Sequence, residues 1–278
     1  MTTPANNFSN DIDARLALMG KLSSLARAIT LPLFATDMAV DNKEQSGPFD
    51  PVTEADIEAE RVMRQAIQAA FPDDSIEGEE LPDFKGSNDF SWTLDPIDGT
   101  RAFVAGVPVW STLIALSWRG QPVLGLIDVA PQDKKFWGQT TDNVQKAWRD
   151  FGGEIAPLTV RKVSKLNEAI LGCTEPLAMF KPGERAAYEV IRRGVRFSRL
   201  GLDAYAYGLI AQGRMDIVIE ALLKPCDVRA LMPVIEGAGG KITNWEGGSA
   251  VNGGRVVCTG SPDLLPELYT YLGRALDS

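Results

Sequence analysis

The sequence predicts an α/β (α+β) protein in which helices precede an antiparallel sheet and an α/β layer follows. Three observations carry that prediction. Met63, Ala66, Ile67 and Ala70 recur at the i, i+3, i+4, i+7 spacing of an amphipathic helix over 53–71. The stretch SWRGQPVLGLIDVA, 117–130, reads as two strands turning at Arg119-Gly120. From about residue 155, strand-like and helical segments alternate.

In chain order, residues 11–36 read as a helix bent at Pro32, and 41–50 as a polar loop. Thr53 and Asp56 have the spacing of a capping box for the helix over 53–71. Strand character follows at 74–78, 90–95, 109–118, 122–130, 133–138 and 144–149. The short boundary DFGGEIAP divides the chain into halves, 1–153 and 154–278, expected to pack as one compact unit. The second half alternates strand 168–173, helix 183–193, strand 195–199, helix 202–212, strand 215–220, helix 227–238, strand 255–259 and helix 263–275.

Composition narrows the function. With 278 residues, the chain is long enough for a large core. A net charge of −9 argues against nucleic-acid or anionic-membrane partners, which need a basic surface. The uncharged stretch Phe103–Trp118 is shorter than the roughly 18 apolar residues of a membrane span. The N-terminus lacks a basic region followed by an apolar run, so no secretory signal is expected. Cys173, Cys226 and Cys258 are odd in number and far apart, which fits reduced thiols and a cytoplasmic location. The chain has no histidine, which excludes Ser-His-Asp and Cys-His triads and any His-ligated metal. Hydrolytic chemistry would have to rest on carboxylates, hydroxyls and metals.

The stretch WTLDPIDGTR, 92–101, runs an apolar strand into a turn with two aspartates, Asp95 and Asp98. Like carboxylates held close are costly unless a cation neutralises them or one is protonated. A hard divalent ion such as Mg²⁺ wants oxygen ligands of this kind. Gly99 lets backbone approach a ligand, and the amides of Gly99 and Thr100 are placed to meet a phosphate oxygen. Alone, the stretch also fits an acidic loop whose aspartates cap a helix. A calcium loop fails on spacing, because Pro96-Ile97 intervenes. Other acids stand in similar contexts: Glu79 in IEGEE, Asp227 in PCDVRA and Asp56 in DPVTEAD. Each also has a plain reading, Glu79 as a loop acid and the other two as charges at helix N-termini.

In this order, GEE, DPIDGT and CDV ahead of GAGG resemble the inositol monophosphatase family of metal-dependent sugar-phosphate phosphatases, from about Lys43 to Gly240. The resemblance implies a layered α-β-α-β-α sandwich, usually a homodimer or larger. It also implies two or three Mg²⁺ ions held by Glu79, Asp95, Asp98, Asp227 and the carbonyl of Ile97, with Asp56 supporting an additional metal. Glu79 and Thr100 would orient and deprotonate the attacking water, and the Gly99 and Thr100 amides would hold the phosphate.

The run GLDAYAY with LKPCD resembles the family's histidinol-phosphate phosphatase branch. That branch implies a small phosphorylated metabolite, L-histidinol phosphate, with inositol 1-phosphate or a broad range of sugar phosphates as the alternative. Asp203 and Glu220 are the candidate substrate contacts, since anions can receive an ammonium and an imidazole. Asp203 reads equally as a charge at a helix start, and Glu220 as a surface acid at a strand end. Cys226 departs from the branch, which usually carries an aromatic residue there. A histidine-free sequence also suits an enzyme that must be made when histidine is scarce.

Overall fold

The computed structural model describes residues 5–34, 36, 41–42, 51–52 and 54–273. Its helices are α1 Ala5–Leu33, α2 Glu54–Ala70, α3 Thr100–Val104, α4 Pro176–Met179, α5 Pro182–Gly194, α6 Tyr205–Ala211, α7 Pro225–Arg229, α8 Leu231–Gly237 and α9 Leu265–Gly273. The strands of the first half are β1 Asp41–Asn42, β2 Pro51–Val52, β3 Ser75–Gly78, β4 Phe90–Asp98, β5 Ser111–Trp118, β6 Gln121–Val129, β7 Lys134–Thr141, β8 Val144–Phe151 and β9 Glu154–Pro157. Those of the second half are β10 Ile170–Cys173, β11 Phe197–Leu200, β12 Ile217–Leu223, β13 Lys241–Asn244 and β14 Gly254–Thr259.

A seven-stranded sheet runs β3-β4-β5-β6-β7-β8-β9 and a five-stranded sheet runs β11-β10-β12-β14-β13. The first is antiparallel except where β3 joins β4, and the second has β10 parallel to both β11 and β12. Helices α1 and α2 cover one face of the large sheet, α6 and α8 fill the space between the sheets, and α5 with α9 covers the far face of the small one. This is the five-layer α-β-α-β-α order.

Period-2 alternation explains how the large sheet serves two cores. On β5, Leu113 and Ala115 join the central core while Ile114 and Leu116 face α1 and α2. The segment Asp11–Leu33 is long and apolar enough by length and composition to cross a membrane. Here its Ile12, Met19, Leu22 and Ala26 are buried against α2 and the sheet. Arg15 donates to buried Asp74 at 2.8 and 2.6 Å, and the Trp92 indole donates to the same carboxylate at 2.8 Å. That network ties α1 to β4.

Several boundaries differ from the sequence reading, each for a local reason. Pro32 sits in the last turn of α1, so the helix ends there instead of bending. Strand β9 lies beyond the expected division at 153 and completes the first sheet. Asp203 has a left-handed φ of 47°, so the helix expected from 202 begins at Tyr205. The helix expected over 227–238 is two helices, because Pro233 has no N–H for the Arg229 carbonyl. The capping residue Thr53 and the loop 43–50 lie outside the described residues.

Candidate active site

The site forms where the turn after β3, the end of β4, the start of α6 and the start of α7 converge. Glu60 of α2 is fully buried and accepts the Glu80 amide at 2.8 Å and the Leu81 amide at 3.2 Å. A Cβ on Gly78 would lie 2.0 Å from Glu60 Oε1, which is why this acidic turn begins with glycine. Glu79 then points into the cleft.

The end of β4 answers the question raised by DPID. Asp95 pairs with Leu113 and Asp98 with Ser111, so β4 advances three positions while β5 advances two. This bulge turns the two side chains towards one place, and Pro96 sits inside it, where no ladder donor is required. The Thr112 hydroxyl holds the Pro96 carbonyl at 2.8 Å, and the Ile97 amide donates to Asp95 Oδ1 at 3.1 Å. Gly99 follows with φ 81°, and Thr100 Oγ1 donates to the Ile97 carbonyl at 3.1 Å.

Asp227 arrives from the second half. The helix that continues from its own, α8, is seated by two glycines paired across β6 and β7, Gly125 and Gly138. A Cβ on either would lie 2.1 Å from backbone, at Ala230 and Pro233 respectively. Arg229 reaches across to Glu77 at 2.5 Å and to Thr93 at 3.1 Å, and Lys224 Nζ donates to Glu79 Oε1 at 3.0 Å. These contacts fix α7 over β4.

Among the described residues two groups of ligand atoms result, each spanning no more than 4.8 Å: Asp95, Asp98 and Asp227, and Glu79, Asp95 and Cys226. Burial raises the Asp95 carboxyl well above its usual range, with Glu79, Asp98, Asp227 and Asp56 adding repulsion. Burial, then Asp203 and Asp227, do the same to Asp98. Burial also pushes Asp227 up to about 6, against the pull of the Lys224 amide. Buried like charges with converging oxygens are a donor set that fits hard divalent cations. Asp56 is 1% exposed at the start of α2 and acts on Asp95 by charge.

The expected phosphate residues Gly99 and Thr100 line a cleft of about 220 Å³ with Glu79, Asp95, Ile97, Asp98, Asp203 and Asp227. Asp203 packs directly on Gly99: a Cβ there would lie 2.9 Å from Asp203 Oδ2. Burial pushes Asp203 up to about 6, opposed by the Arg101 guanidinium. The next amide, of Ala204, donates to Asp98 Oδ2 at 2.8 Å. Glu220 lines an adjoining recess with Asp203, Thr174 and Tyr207. Its carboxylate accepts the Thr174 amide at 2.9 Å, the Thr174 hydroxyl at 2.5 Å and the Tyr207 hydroxyl at 2.8 Å. Burial pushes it up to about 7.

The sequence analysis singled out neither Thr174 nor Lys224. Thr174 follows parallel strand β10 directly, and the carboxyl ends of parallel strands are where open α/β sheets place ligands. That rule was the available signal. Lys224 carried none, since its contact with Glu79 depends on the seating of α7.

The model of the inositol monophosphatase family matches residues 17–276. A bifunctional phosphatase, IMPL2, of Arabidopsis thaliana is 37% identical over 88% of this chain and 68% of its own length. A histidinol-phosphatase of Chlorobaculum parvum is 31% identical over 94% of this chain and 96% of its own. Among solved structures, an inositol monophosphatase from Zymomonas mobilis superposes with a TM-score of 0.80 at 33% identity, covering 95% of this chain and 98% of that one.

Proposed function

Since the chain belongs to the inositol monophosphatase family of phosphatases, we propose that it is a Mg²⁺-dependent phosphomonoesterase whose substrate is L-histidinol phosphate. The observation that carries the substrate is the anionic recess beside the phosphate end of the cleft, where Asp203 and Glu220 lie together. A cationic alcohol would be neutralised there, whereas inositol offers only neutral hydroxyls. Glu220 already accepts three hydrogen bonds, two of them on Oε1, which leaves Oε2 able to take one more. The likeness to the Chlorobaculum histidinol-phosphatase supports this reading.

The placement of the chain's own residues supports a role for each. Asp95, Asp98, Asp227, Glu79 and the Ile97 carbonyl would hold the metal ions. Bound there, the metals would supply an acidified water and neutralise phosphoryl charge. Glu79 accepts the water's proton, and Thr100 fixes the water through a hydroxyl already tied to Ile97. The amides of Gly99 and Thr100 would receive the phosphate oxygens at the left-handed turn where α3 begins. Asp203 and Glu220 grip the leaving alcohol by charge-assisted bonds.

Phosphate release with Mg²⁺, compared between L-histidinol phosphate and inositol 1-phosphate, tests the proposal. The expected result is a higher kcat/KM on histidinol phosphate, with Glu220→Gln raising KM for that substrate more than for inositol phosphate. A higher kcat/KM on inositol 1-phosphate would replace the reading with its alternative, an inositol-phosphate or broad sugar-phosphate phosphatase.

A further inference from the structure

The two ligand groups share Asp95 but differ in chemistry. Asp95, Asp98 and Asp227 offer oxygen only, whereas Glu79, Asp95 and Cys226 offer two oxygens and a sulfur. Cys226 is 8% exposed, lies between Pro225 and Asp227 at the start of α7, and places Sγ 3.5 Å from Asp227 Oδ1. The other cysteines, Cys173 and Cys258, are buried in the far and central cores. Thus the contacts that bring Asp227 to the cluster bring one thiol with it.

We infer that Cys226 is a metal ligand, and that it makes the Glu79 side of the centre a site for thiophilic divalent ions such as Zn²⁺, Co²⁺ or Cd²⁺. The inference rests on the reading of this cluster as a metal centre. Oxygen and sulfur donors at about 2.0–2.3 Å from one ion lie at most about 4.5 Å apart. The Glu79–Asp95–Cys226 group, spanning no more than 4.8 Å, needs at most a small inward rotation to reach that separation. Sulfur contributes little to Mg²⁺, which prefers oxygen in an octahedron, and strongly to softer ions. As the metal–sulfur bond forms, the thiol proton passes to solvent, so binding releases one proton at this ligand. The centre then has two unlike positions: an all-oxygen one suited to Mg²⁺, and one that a thiophilic ion takes in preference to it. The aromatic residue usual in the histidinol-phosphate phosphatase branch would provide no such donor.

The test is spectroscopic. The full chain, stripped with a chelator, is titrated with Co²⁺ and separately with Cd²⁺. A sulfur-to-metal charge-transfer band that saturates at stoichiometric metal is expected, with a cadmium NMR shift typical of sulfur ligation. Cys226→Ser should lose the band and weaken Cd²⁺ at least about tenfold, with a much smaller change for Mg²⁺. No band in the unaltered chain, an all-oxygen cadmium shift, or an unchanged band in Cys226→Ser would overturn the assignment. The NMR measurement needs no variant, so a folding failure of Cys226→Ser leaves the test intact. Mg²⁺-dependent phosphate release reads the functional proposal separately. Release without a band removes the sulfur ligand alone, and a band without release removes the phosphatase reading alone.

Discussion

The Asp203 carboxylate occupies the space that a side chain on Gly99 would need, 2.9 Å from the position of its Cβ. One residue is proposed to bind the leaving alcohol and the other the phosphate, and they come from different halves of the chain. Gly99→Ala is therefore doubly unfavourable. It places a Cβ at φ 81° and pushes on Asp203. The backbone part costs about 1–2 kcal/mol. We expect a folded protein with a lower Tm and kcat/KM reduced more than tenfold; wild-type kinetics in this variant would show that the contact is dispensable.

Removing a ligand charge should separate activity from stability. Asp95→Asn and Asp227→Asn each delete one of several mutually repelling buried carboxylates. Turnover should fall by orders of magnitude, while the metal-free protein keeps its Tm or gains in it. Mg²⁺ is expected to raise the Tm of the parent protein and to lose that effect in both variants. Near-normal phosphate release in either variant contradicts the placement of the metal centre.

The metal-free protein should prefer mildly acidic solution. Burial lifts Glu220 to about 7 and Asp203 and Asp227 to about 6. A carboxyl raised in the folded state binds its proton more tightly there, so its stabilising contribution is complete below about pH 4 and is lost as pH rises through 6–7. Asp133, Glu58 and Glu189 are lowered by arginine partners, so their contribution is lost on the acid side instead, below the usual carboxylate range. Tm without metal should be higher at about pH 5 than at about pH 8, and Mg²⁺ should stabilise more at the higher pH. Calorimetry with and without chelator decides this, and a metal-free Tm rising across that interval would count against it.

The Arg15–Asp74 pair is a stability element remote from the chemistry. Both side chains are almost fully buried, and the guanidinium also lies 3.8 Å from the centroid of the Phe90 ring. Breaking one side of such a pair costs about 3–5 kcal/mol. Arg15→Ala should lower the urea midpoint accordingly, with kcat of the remaining folded protein little changed. A loss below about 1 kcal/mol would mean that water replaces the arginine.

Gly138→Ala tests the seat of the Asp227 helices. The new methyl would overlap the Pro233 backbone at about 2.1 Å. Overpacking of this kind typically costs about 1–3 kcal/mol. Because α8 continues from α7, Mg²⁺ affinity should weaken as well. Lost stability with unchanged Mg²⁺ affinity would separate the seat from the site.

The sequence by itself determined residue chemistry and local periodicity. The spacing of Met63, Ala66, Ile67 and Ala70 marked α2, and the turn at Arg119-Gly120 marked the β5–β6 hairpin. DPIDGT announced an acidic, glycine-flexed turn, and the absence of histidine left carboxylates, hydroxyls and metals for any hydrolytic chemistry. These are properties of short segments, set by turn preferences and by the repeat of apolar positions. Tertiary structure alone decided which distant groups meet. The bulge at Pro96 aims Asp95 and Asp98 through its register with β5. The glycine pair sets the height of α8 over the sheet, and with it the arrival of Asp227, Cys226 and Lys224 beside Glu79. Thr174 and Tyr207 hold Glu220 only because β10, β12 and α6 pack side by side. Contacts of this kind depend on strand register and helix seating summed over the whole core, and no single segment encodes them.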